Sequence, residues 1–511
     1  MFEGMFQPEA IVEAFHMVLS LKVLYWLVVG VVIGVGVGAM PGLTAATGVA
    51  IMVPLTFTMN TASALGLLIG LYKGAVYGGS ISAISFSTPG TPEAAATVYD
   101  GYKLMQQGKG RKAILMALYA SITGDTLSDL ITIGVAPALA LIALKFGPTE
   151  RFWLVVLACT LLGTLSGAHP AKGMFSAALG IFLATIGTDP VGLVQRMTFG
   201  IWWLADGINL IPLMIGIFAI SGMVEGAVEL LRERGITKKA KESISAALLR
   251  GGPGLTFREY IRAWKEMLIG LFVGSFAGML PGLGATVGAF LSYSVAKQVF
   301  PKKKIGTGVL EGVAAAESGN NATVGPTLIP LLAFGIPGSS TAALIGGALM
   351  IQGATPSPRM FELYPAVVYS LFMILLAGNV VNLGVGRVLG GLYSRLGRLP
   401  REILIPLIFM MAIIGSYSYQ GNKYDVVVML AFGLIGYGMR AVRIPDAPLV
   451  ITFLITPMME ANLRRALLIN RGDWLEALFH SPLAIGLCIA CFALSFLAIR
   501  LEVSKRLSMA K

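Results

Sequence analysis

Long runs of apolar residues recur along this chain, for example Val23–Met40, Phe152–Ala168 and Pro482–Ile499. About 20 helical residues are needed to cross the hydrocarbon core of a bilayer, so apolar runs of about 18 residues or more are typical of transmembrane helices. Only 13% of the residues are charged, whereas a soluble globular protein carries about 25%. Because Gly or Pro interrupts several runs, the sequence predicts an all-α, polytopic membrane bundle with roughly ten to twelve spans.

The formal net charge of +12 does not by itself indicate nucleic acid as a partner. Lys and Arg lie in short segments between the apolar runs, which is the positive-inside bias of multi-pass membrane proteins. His16, His169 and His480 are scattered and form no spaced ligand set. We therefore predict a lipid bilayer around the chain, and no nucleic acid, no metal site and no cofactor.

Two segments of the chain share a Gly-rich pattern. Gly30–Gly48 reads GVVIGVGVGAMPGLTAATG and Gly270–Gly288 reads GLFVGSFAGMLPGLGATVG, with eight of 19 positions identical and no gap. Further along, Ser87–Thr91 resembles Gly335–Ser339, since each contains a Pro-Gly pair followed by a hydroxyl residue. The sequence therefore predicts a duplication.

The most polar connection of the chain separates the two copies. Residues 229–266 contain nine Lys or Arg and five Glu, and we expect them to be cytoplasmic. The predicted organisation is a first transmembrane half at 1–228, this connecting loop at 229–266, and a second transmembrane half at 267–511.

Basic residues follow different elements in the two halves. Lys297 and Lys302–Lys304 follow the first Pro-Gly element of the second half, and the matching place in the first half, Met59–Ser63, is uncharged. Conversely, Lys103–Lys112 is basic, while its counterpart Gly353–Glu362 has one basic residue. Because the basic loops change place between the halves, the charges favour an inverted repeat.

Four Pro-Gly pairs lie within apolar surroundings, at 41–42, 89–90, 281–282 and 337–338. Proline breaks helical hydrogen bonding, and backbone groups freed in lipid must be satisfied by protein, water or ligand. The pairs therefore predict broken or re-entrant helices around a polar cavity. The N-terminal ends of broken helices carry partial positive charge and can bind carboxylates. The predicted substrate-binding residues are Gly42, Thr44, Ser80, Pro89, Gly90, Thr91, Gly282, Asn320, Asn321, Pro337, Gly338, Ser339 and Ser340.

Three acidic residues are candidates for ion coupling. Asp125 and Asp129 are four residues apart and share a helix face, where they could carry protons or help to bind Na⁺; a loop near Gly124 could equally solvate them at the membrane surface. Glu317 lies in the run Glu-Ser-Gly-Asn-Asn, which is costly between apolar flanks unless it serves a site. Asp100, near the second Pro-Gly pair, is expected close to an aqueous end.

The quoted motifs resemble those of a known family. The runs YKGAVYGGS (72–80), PGTPE (89–93) and DGY (100–102) are similar to the first-half motif of the large permease subunit of tripartite tricarboxylate transporters. The runs ESGNNA (317–322) and FGIPGS (334–339) are similar to its second-half motif, and the likeness spans about residues 20–470.

The resemblance implies a non-enzymatic protein that imports tricarboxylates or related carboxylates across the bacterial inner membrane, driven by Na⁺ or H⁺. It also implies two partners, a periplasmic solute-binding protein and a small four-helix membrane subunit. Ser85–Thr88 departs from the more aliphatic family pattern, so the substrate need not be citrate. The alternatives are a membrane enzyme acting on lipid-linked substrates, which would need a catalytic constellation, and an ion channel, which would need no delivery protein.

Overall fold

The computed structural model describes residues 7–40, 42–165, 169–189, 194–233, 254–396 and 401–509. The first half is built from ten described α-helices: α1 (Pro8–Val18), α2 (Leu21–Ala39), α3 (Ala45–Met52), α4 (Thr61–Phe86), α5 (Val98–Gln106), α6 (Gly110–Leu144), α7 (Pro148–Leu165), α8 (Pro170–Ala184), α9 (Leu210–Met214) and α10 (Ser221–Glu233). Short 3-10 turns lie at Val53–Thr58, Pro92–Ala95 and Trp202–Leu204, and a π-helical stretch at Ile215–Ile220 joins α9 to α10. Strands β1 (Gly187–Thr188) and β2 (Gln195–Arg196) form one antiparallel pair.

The second half is also helical in its described parts: α11 (Phe257–Arg262), α12 (Trp264–Met279), α13 (Gly284–Val299), α14 (Leu310–Asn321), α15 (Leu328–Phe334), α16 (Ser340–Ile351), α17 (Met360–Leu363), α18 (Pro365–Leu396), α19 (Arg401–Gln420), α20 (Lys423–Ala441), α21 (Ala447–Ile469), α22 (Trp474–Phe479) and α23 (Pro482–Met509), with a 3-10 turn at Pro301–Lys303. Of the predicted connecting loop, 234–253 lie outside the described residues. Its end contains α11, and α12 begins three residues before the predicted start of the second half.

Seven described helices are long and apolar enough to cross a bilayer: Leu21–Ala39, Thr61–Phe86, Gly110–Leu144, Leu210–Val228, Pro365–Gly390, Lys423–Ala441 and Pro482–Arg500. Shorter apolar helices lie at Ala45–Thr58, Pro170–Ala184 and Ser340–Ile351. The prediction of an all-α, polytopic membrane protein is confirmed. The total of ten to twelve spans stays a prediction.

The first Pro-Gly element reverses the chain. Helices α2 and α4 run in the same direction, since Gly34 lies against Leu71 and Gly38 lies against Ala75. The end of α2 is therefore level with the middle of α4. Helix α3 and the following 3-10 turn must lead the chain back to the level where α4 begins, which makes α2 and α3 a re-entrant hairpin of the kind the Pro-Gly motif predicts.

The second half repeats this hairpin. Helices α12 and α14 run in the same direction, because Gly274 lies against Gly319 and Gly278 lies against Thr323. Helix α13 then returns the chain, as α3 does in the first half. In both halves, glycines four residues apart allow the hairpin to lie directly on the backbone of the following helix.

The second Pro-Gly element has the same backbone geometry in the two halves. The N–H groups of Gly90 and Gly338 each donate to the carbonyl oxygen eleven residues earlier, at 3.2 and 3.1 Å. Two residues before each proline, Ser87 and Gly335 adopt left-handed conformations with φ of 56° and 74°. Equivalent hydrogen bonds and dihedral angles support the predicted duplication.

Two loop contacts mark opposite ends of the molecule. Lys103 Nζ donates to the carbonyl oxygen of Gly306 at 2.6 Å, and Gln352 Nε2 donates to that of Thr56 at 2.7 Å. Thr56 lies just before the N-terminus of α4. Helix α5 extends past the C-terminus of α4, since Gly101 of α5 packs on Ile84 in the last turn of α4. With 26 residues, α4 is about 39 Å long. The basic loops of both halves thus lie at one end, as an inverted repeat requires.

Candidate functional site

A half-open cavity of about 530 Å³ lies where the four Pro-Gly elements meet. Its wall is formed by both halves, by α10, and by the loop between α20 and α21. Nine of the thirteen predicted substrate-binding residues line it: Gly42, Thr44, Pro89, Gly90, Thr91, Gly282, Gly338, Ser339 and Ser340. Pro41 lies outside the described residues. The structure thus brings together segments that are up to about 300 positions apart in sequence.

Each Pro-Gly element is followed by a helix start at the cavity wall. Helix α3 begins after Thr44, whose Oγ1 accepts a hydrogen bond from the Thr47 N–H at 3.1 Å. Helix α16 begins after Ser339, whose Oγ accepts from the Ala342 N–H at 3.1 Å. Helix α13 and the 3-10 turn Pro92–Ala95 begin at the same cavity. Four helical N-termini therefore bring N–H groups and partial positive charge to one volume.

Two glycines make the hairpin tips possible. Gly42 and Gly282 have φ of 91° and 94°, which a residue with a Cβ rarely adopts. The Gly282 N–H donates to the Gly338 carbonyl oxygen at 3.3 Å, so a hairpin tip and a chain break of the second half are joined directly. A residue with a Cβ would be strained at these two positions, so glycine is what allows the tight turns beside the cavity.

The sequence did not predict that Glu225, Arg440 and Asp446 lie on the cavity wall. Arg440 donates through Nε and Nη2 to Asp446 Oδ2, at 3.1 and 3.0 Å, and through Nη1 to Glu225 Oε2 at 3.2 Å. Glu93 also lines the cavity, so the formal charges of the lining sum to −2. In the sequence, Arg440 lies beside Arg443 and is indistinguishable from a basic cytoplasmic loop.

Three other predicted residues lie away from the cavity lining, around the buried Glu317. Its Oε1 accepts hydrogen bonds from Ser80 Oγ at 2.5 Å and from the Thr97 hydroxyl, and Oε2 accepts from Ser121 Oγ at 3.2 Å. The Asn321 Nδ2 donates to Ser121 Oγ at 2.8 Å. Asn320 is fully buried, and its amide makes no hydrogen bond within the described chain. Pro337, the fourth, precedes Gly338 without lining the cavity.

The two aspartates of α6 form a buried cluster with a lysine of α4. Lys73 Nζ donates to Asp125 Oδ1 and Asp129 Oδ2, both at 2.8 Å, and to Asn379 Oδ1 at 3.0 Å. All four residues are buried, and α6 is a continuous helix through Gly124. The alternative of a solvated loop at the membrane surface is therefore wrong.

Ser121, Asp125 and Asp129 follow one another at intervals of four residues on α6, so they share a helix face. This polar face joins the Glu317 cluster of the second half to the Lys73 cluster of the first half. The candidate coupling groups thus form one buried polar column, and one oxygen of each aspartate lacks a hydrogen-bond partner in the described chain.

Asp100 lies at the end of the molecule that carries the basic loops, beside the loop that Lys103 also contacts. It is fully buried, and its carboxylate accepts hydrogen bonds from the N–H groups of Gly306, Gly308 and Val309 at 2.7–3.0 Å. The Tyr293 hydroxyl donates at 2.8 Å. Four donors satisfy the carboxylate without a cation, and the bonds fasten the first half to a loop of the second.

Polytopic helical bundles with broken helices around an internal cavity are common among transporters. The chain belongs to the tripartite tricarboxylate transporter TctA family, whose model matches residues 24–451. The family resemblance inferred from the Pro-Gly and Asn-Asn motifs is thereby confirmed, and the transporter class follows from the family.

Two curated relatives come from Agrobacterium vitis. An uncharacterised 52.8 kDa protein in the TAR-I ttuC′ 3′ region is 34% identical over 477 residues, which is 92% of each chain. An uncharacterised protein in the TAR-II ttuC′ 3′ region is 37% identical over 228 residues, or 44% of this chain and 94% of the relative. No solved structure matches the chain.

Proposed function

We propose that this chain is the permease subunit that imports tricarboxylates or related carboxylates across the bacterial inner membrane. A periplasmic solute-binding protein would deliver the substrate, and a small four-helix membrane subunit would complete the transporter. The observation that carries the proposal is the convergence of four Pro-Gly chain breaks, each followed by a helix start, on one cavity of about 530 Å³.

The cavity suits a small organic anion by size and by chemistry. Ligand cavities are commonly about 300–1,000 Å³. Backbone N–H groups at helix starts bind carboxylates favourably, and hydroxyls such as those of Thr44, Thr286 and Ser340 add donors. Both halves contribute lining residues, so that moving one half against the other would open the site alternately to each face.

The fixed charges favour a cation as co-substrate. The lining has a formal charge of −2, given by Arg440 against Glu93, Glu225 and Asp446, which would oppose entry of a carboxylate alone. The Lys73 cluster and Glu317 add further buried negative charge. Binding of Na⁺ or H⁺ together with the anion would offset this repulsion, which supports coupling to an ion gradient.

Uptake into proteoliposomes tests the proposal. The chain and its small partner subunit would be reconstituted, and uptake of citrate and related di- and tricarboxylates would be measured with a Na⁺ or pH gradient and with the cognate binding protein. Thr286→Val keeps the side-chain shape and removes a hydroxyl of a half-buried residue on the cavity wall. We expect it to lower uptake of the cognate carboxylate by about tenfold, as loss of a hydrogen bond to a charged group implies.

Thr307→Val serves as the matched control, since Thr307 is exposed on a loop and does not line the cavity. Wild type that takes up none of these carboxylates under any gradient would refute the proposal. Uptake that does not saturate with substrate concentration and needs no ion gradient would indicate a channel instead.

A further inference from the structure

A second cavity, of about 370 Å³, lies next to the first. Phe334 and Gly335 line it, whereas Gly338 lines the first cavity, so the 335–338 turn forms the wall between them. Its surface is mainly apolar, but Arg151 of α7 and Arg465 of α21 also line it.

These two arginines lack the partners that other arginines of this molecule have. Arg440, Arg464 and Arg196 each form an ion pair with a carboxylate. By contrast, Arg151 and Arg465 make no ion pair or hydrogen bond within the described part of the chain, and Arg151 Nε is buried without a partner. Like charges held together beside a cavity, with no carboxylate to neutralise them, are stabilised by a bound anion.

A helix face connects the two cavities. Ile451 of α21 lines the first cavity, and Ile455, Met458, Asn462 and Arg465 follow along the second at intervals of three or four residues. Arg465 lies fourteen positions after Ile451, which corresponds to about 21 Å of helix. The second cavity therefore extends away from the first cavity along α21.

The position within the molecule fits an entrance. Residues 355–358 line the second cavity and follow Gln352, which is bonded to Thr56. This is the end opposite to the basic loops, and hence the periplasmic end by the positive-inside rule. Phe334 also stacks on Phe146 at 6.2 Å between ring centroids, which places an aromatic pair at the turn that separates the cavities.

We propose that the second cavity is an entry site, where Arg151 and Arg465 bind a carboxylate substrate before it passes the 335–338 turn into the first cavity. The ligand class is a small organic anion with at least two carboxylate groups, since two guanidinium groups can each bind one carboxylate in a bidentate manner. Its role as an entrance rests on the proposed transport function, whereas anion binding does not. The phosphate of an anionic lipid has the same charge chemistry and is the competing source.

Citrate binding to the purified chain in nanodiscs of zwitterionic lipid tests this site. Calorimetry of wild type should show two binding events. Arg151→Gln and Arg465→Gln should each weaken one event by at least about tenfold, while Thr286→Val in the first cavity should weaken the other. Arg464→Gln is the matched control, because the neighbouring Arg464 is paired with Asp189 and Glu460 and should leave both events unchanged.

The outcomes separate the two proposals. A wild-type protein that shows the arginine-sensitive event but no event sensitive to Thr286→Val would contradict the proposed transport site and leave the entry site standing. The entry-site proposal would be overturned if Arg151→Gln and Arg465→Gln bound citrate as tightly as wild type does. An equal loss of citrate binding in Arg464→Gln would also overturn it. Native mass spectrometry in nanodiscs with phosphatidylglycerol tests the lipid as the competing ligand. If wild type retained an anionic lipid that Arg151→Gln lost, and citrate binding were unaffected, the second cavity would be a lipid site. That result would refute the entry-site proposal. Arg151→Lys and Arg465→Lys replace any Gln variant that does not fold.

Discussion

Ser87 shows how closely the two halves agree at single residues. It ends α4 with φ of 56°, a left-handed conformation that is unfavourable by about 1–2 kcal/mol for a residue with a Cβ. Gly335, at the equivalent place in the second half, has φ of 74° and adopts this conformation without a Cβ clash. The first half therefore keeps a strained residue where the second half has a relaxed one.

Ser87→Gly should stabilise the protein by about 0.5–1 kcal/mol, because relief of the left-handed strain exceeds the extra flexibility of the unfolded chain. Thermal unfolding of the purified protein in detergent measures the change. Thr88→Gly is the control, since Thr88 has no positive φ, and it should lower stability. A Ser87→Gly variant that melts below wild type would contradict the strain.

Lys73 is the cation on which a buried cluster depends. Its ammonium group is shared by Asp125 and Asp129, so the three charges sum to −1. Removal of one partner from a buried ion pair leaves an uncompensated charge and destabilises a protein by about 3–5 kcal/mol. Removal of one of the two carboxylates, in contrast, leaves a neutral pair.

Lys73→Met should therefore abolish accumulation of folded protein, whereas Asp125→Asn should fold and lose the dependence of uptake on the ion gradient. Fluorescence-detected size exclusion measures folding, and proteoliposome uptake measures coupling. A monodisperse Lys73→Met protein with wild-type melting temperature would show that the lysine does not hold the cluster together.

At the scale of elements, glycine spacing decides which helices can touch. A Cβ at Gly34 would lie 2.3 Å from the Leu71 carbonyl oxygen, and one at Gly274 would lie 2.2 Å from that of Gly319. These contacts are to backbone, so no side chain can move aside. The hairpins thus lie on α4 and α14 because glycine recurs every four residues.

Gly34→Ala should lower stability by about 1–3 kcal/mol, the usual range for overpacking. Gly134→Ala is a matched control on α6, since no atom lies within 4 Å of its added Cβ, and it should be neutral or slightly stabilising. Thermal unfolding of both variants measures the difference. Equal stability of the two variants would contradict the direct backbone packing of α2 on α4.

The elements themselves could be predicted because their signals are local. Pro-Gly pairs within apolar runs predicted the hairpins, and the small residues beside them predicted the cavity lining. The partners of Glu317 and Arg440 could not be predicted, because Thr97, Ser121 and Glu225 lie far from them in sequence. Ordinary Ser and Thr carry no signal that distinguishes a ligand of a buried carboxylate from one that bonds its own helix.

At the scale of the whole molecule, polar contacts fasten the two halves at one end. Asp100 of the first half holds the loop 306–309 of the second. Lys112 pairs with Glu259 of α11, and this hydrogen bond lowers the pKa of the Glu259 carboxyl to about 2. The pair therefore stays ionised at neutral pH and is lost only as the pH falls towards that value.

The charge pattern predicted this end of the molecule but not its contacts. Basic loops of both halves were expected on one side, and Lys103 and Gly306 do meet there. The burial of Asp100 was missed, because a carboxylate flanked by polar residues resembles a solvated group when its distant N–H donors are unknown. Inverted topology was visible in sequence only through the exchange of charged loops.

We propose that one cavity, built from four Pro-Gly chain breaks, binds the carboxylate. Electron cryomicroscopy of the purified transporter with its cognate carboxylate tests this claim most directly. We predict density for the anion among the tips at Gly42–Thr44 and Gly282–Ala285 and the breaks at Thr91 and Ser339. Anion density confined to any other place, with this cavity empty at saturating substrate, would contradict it.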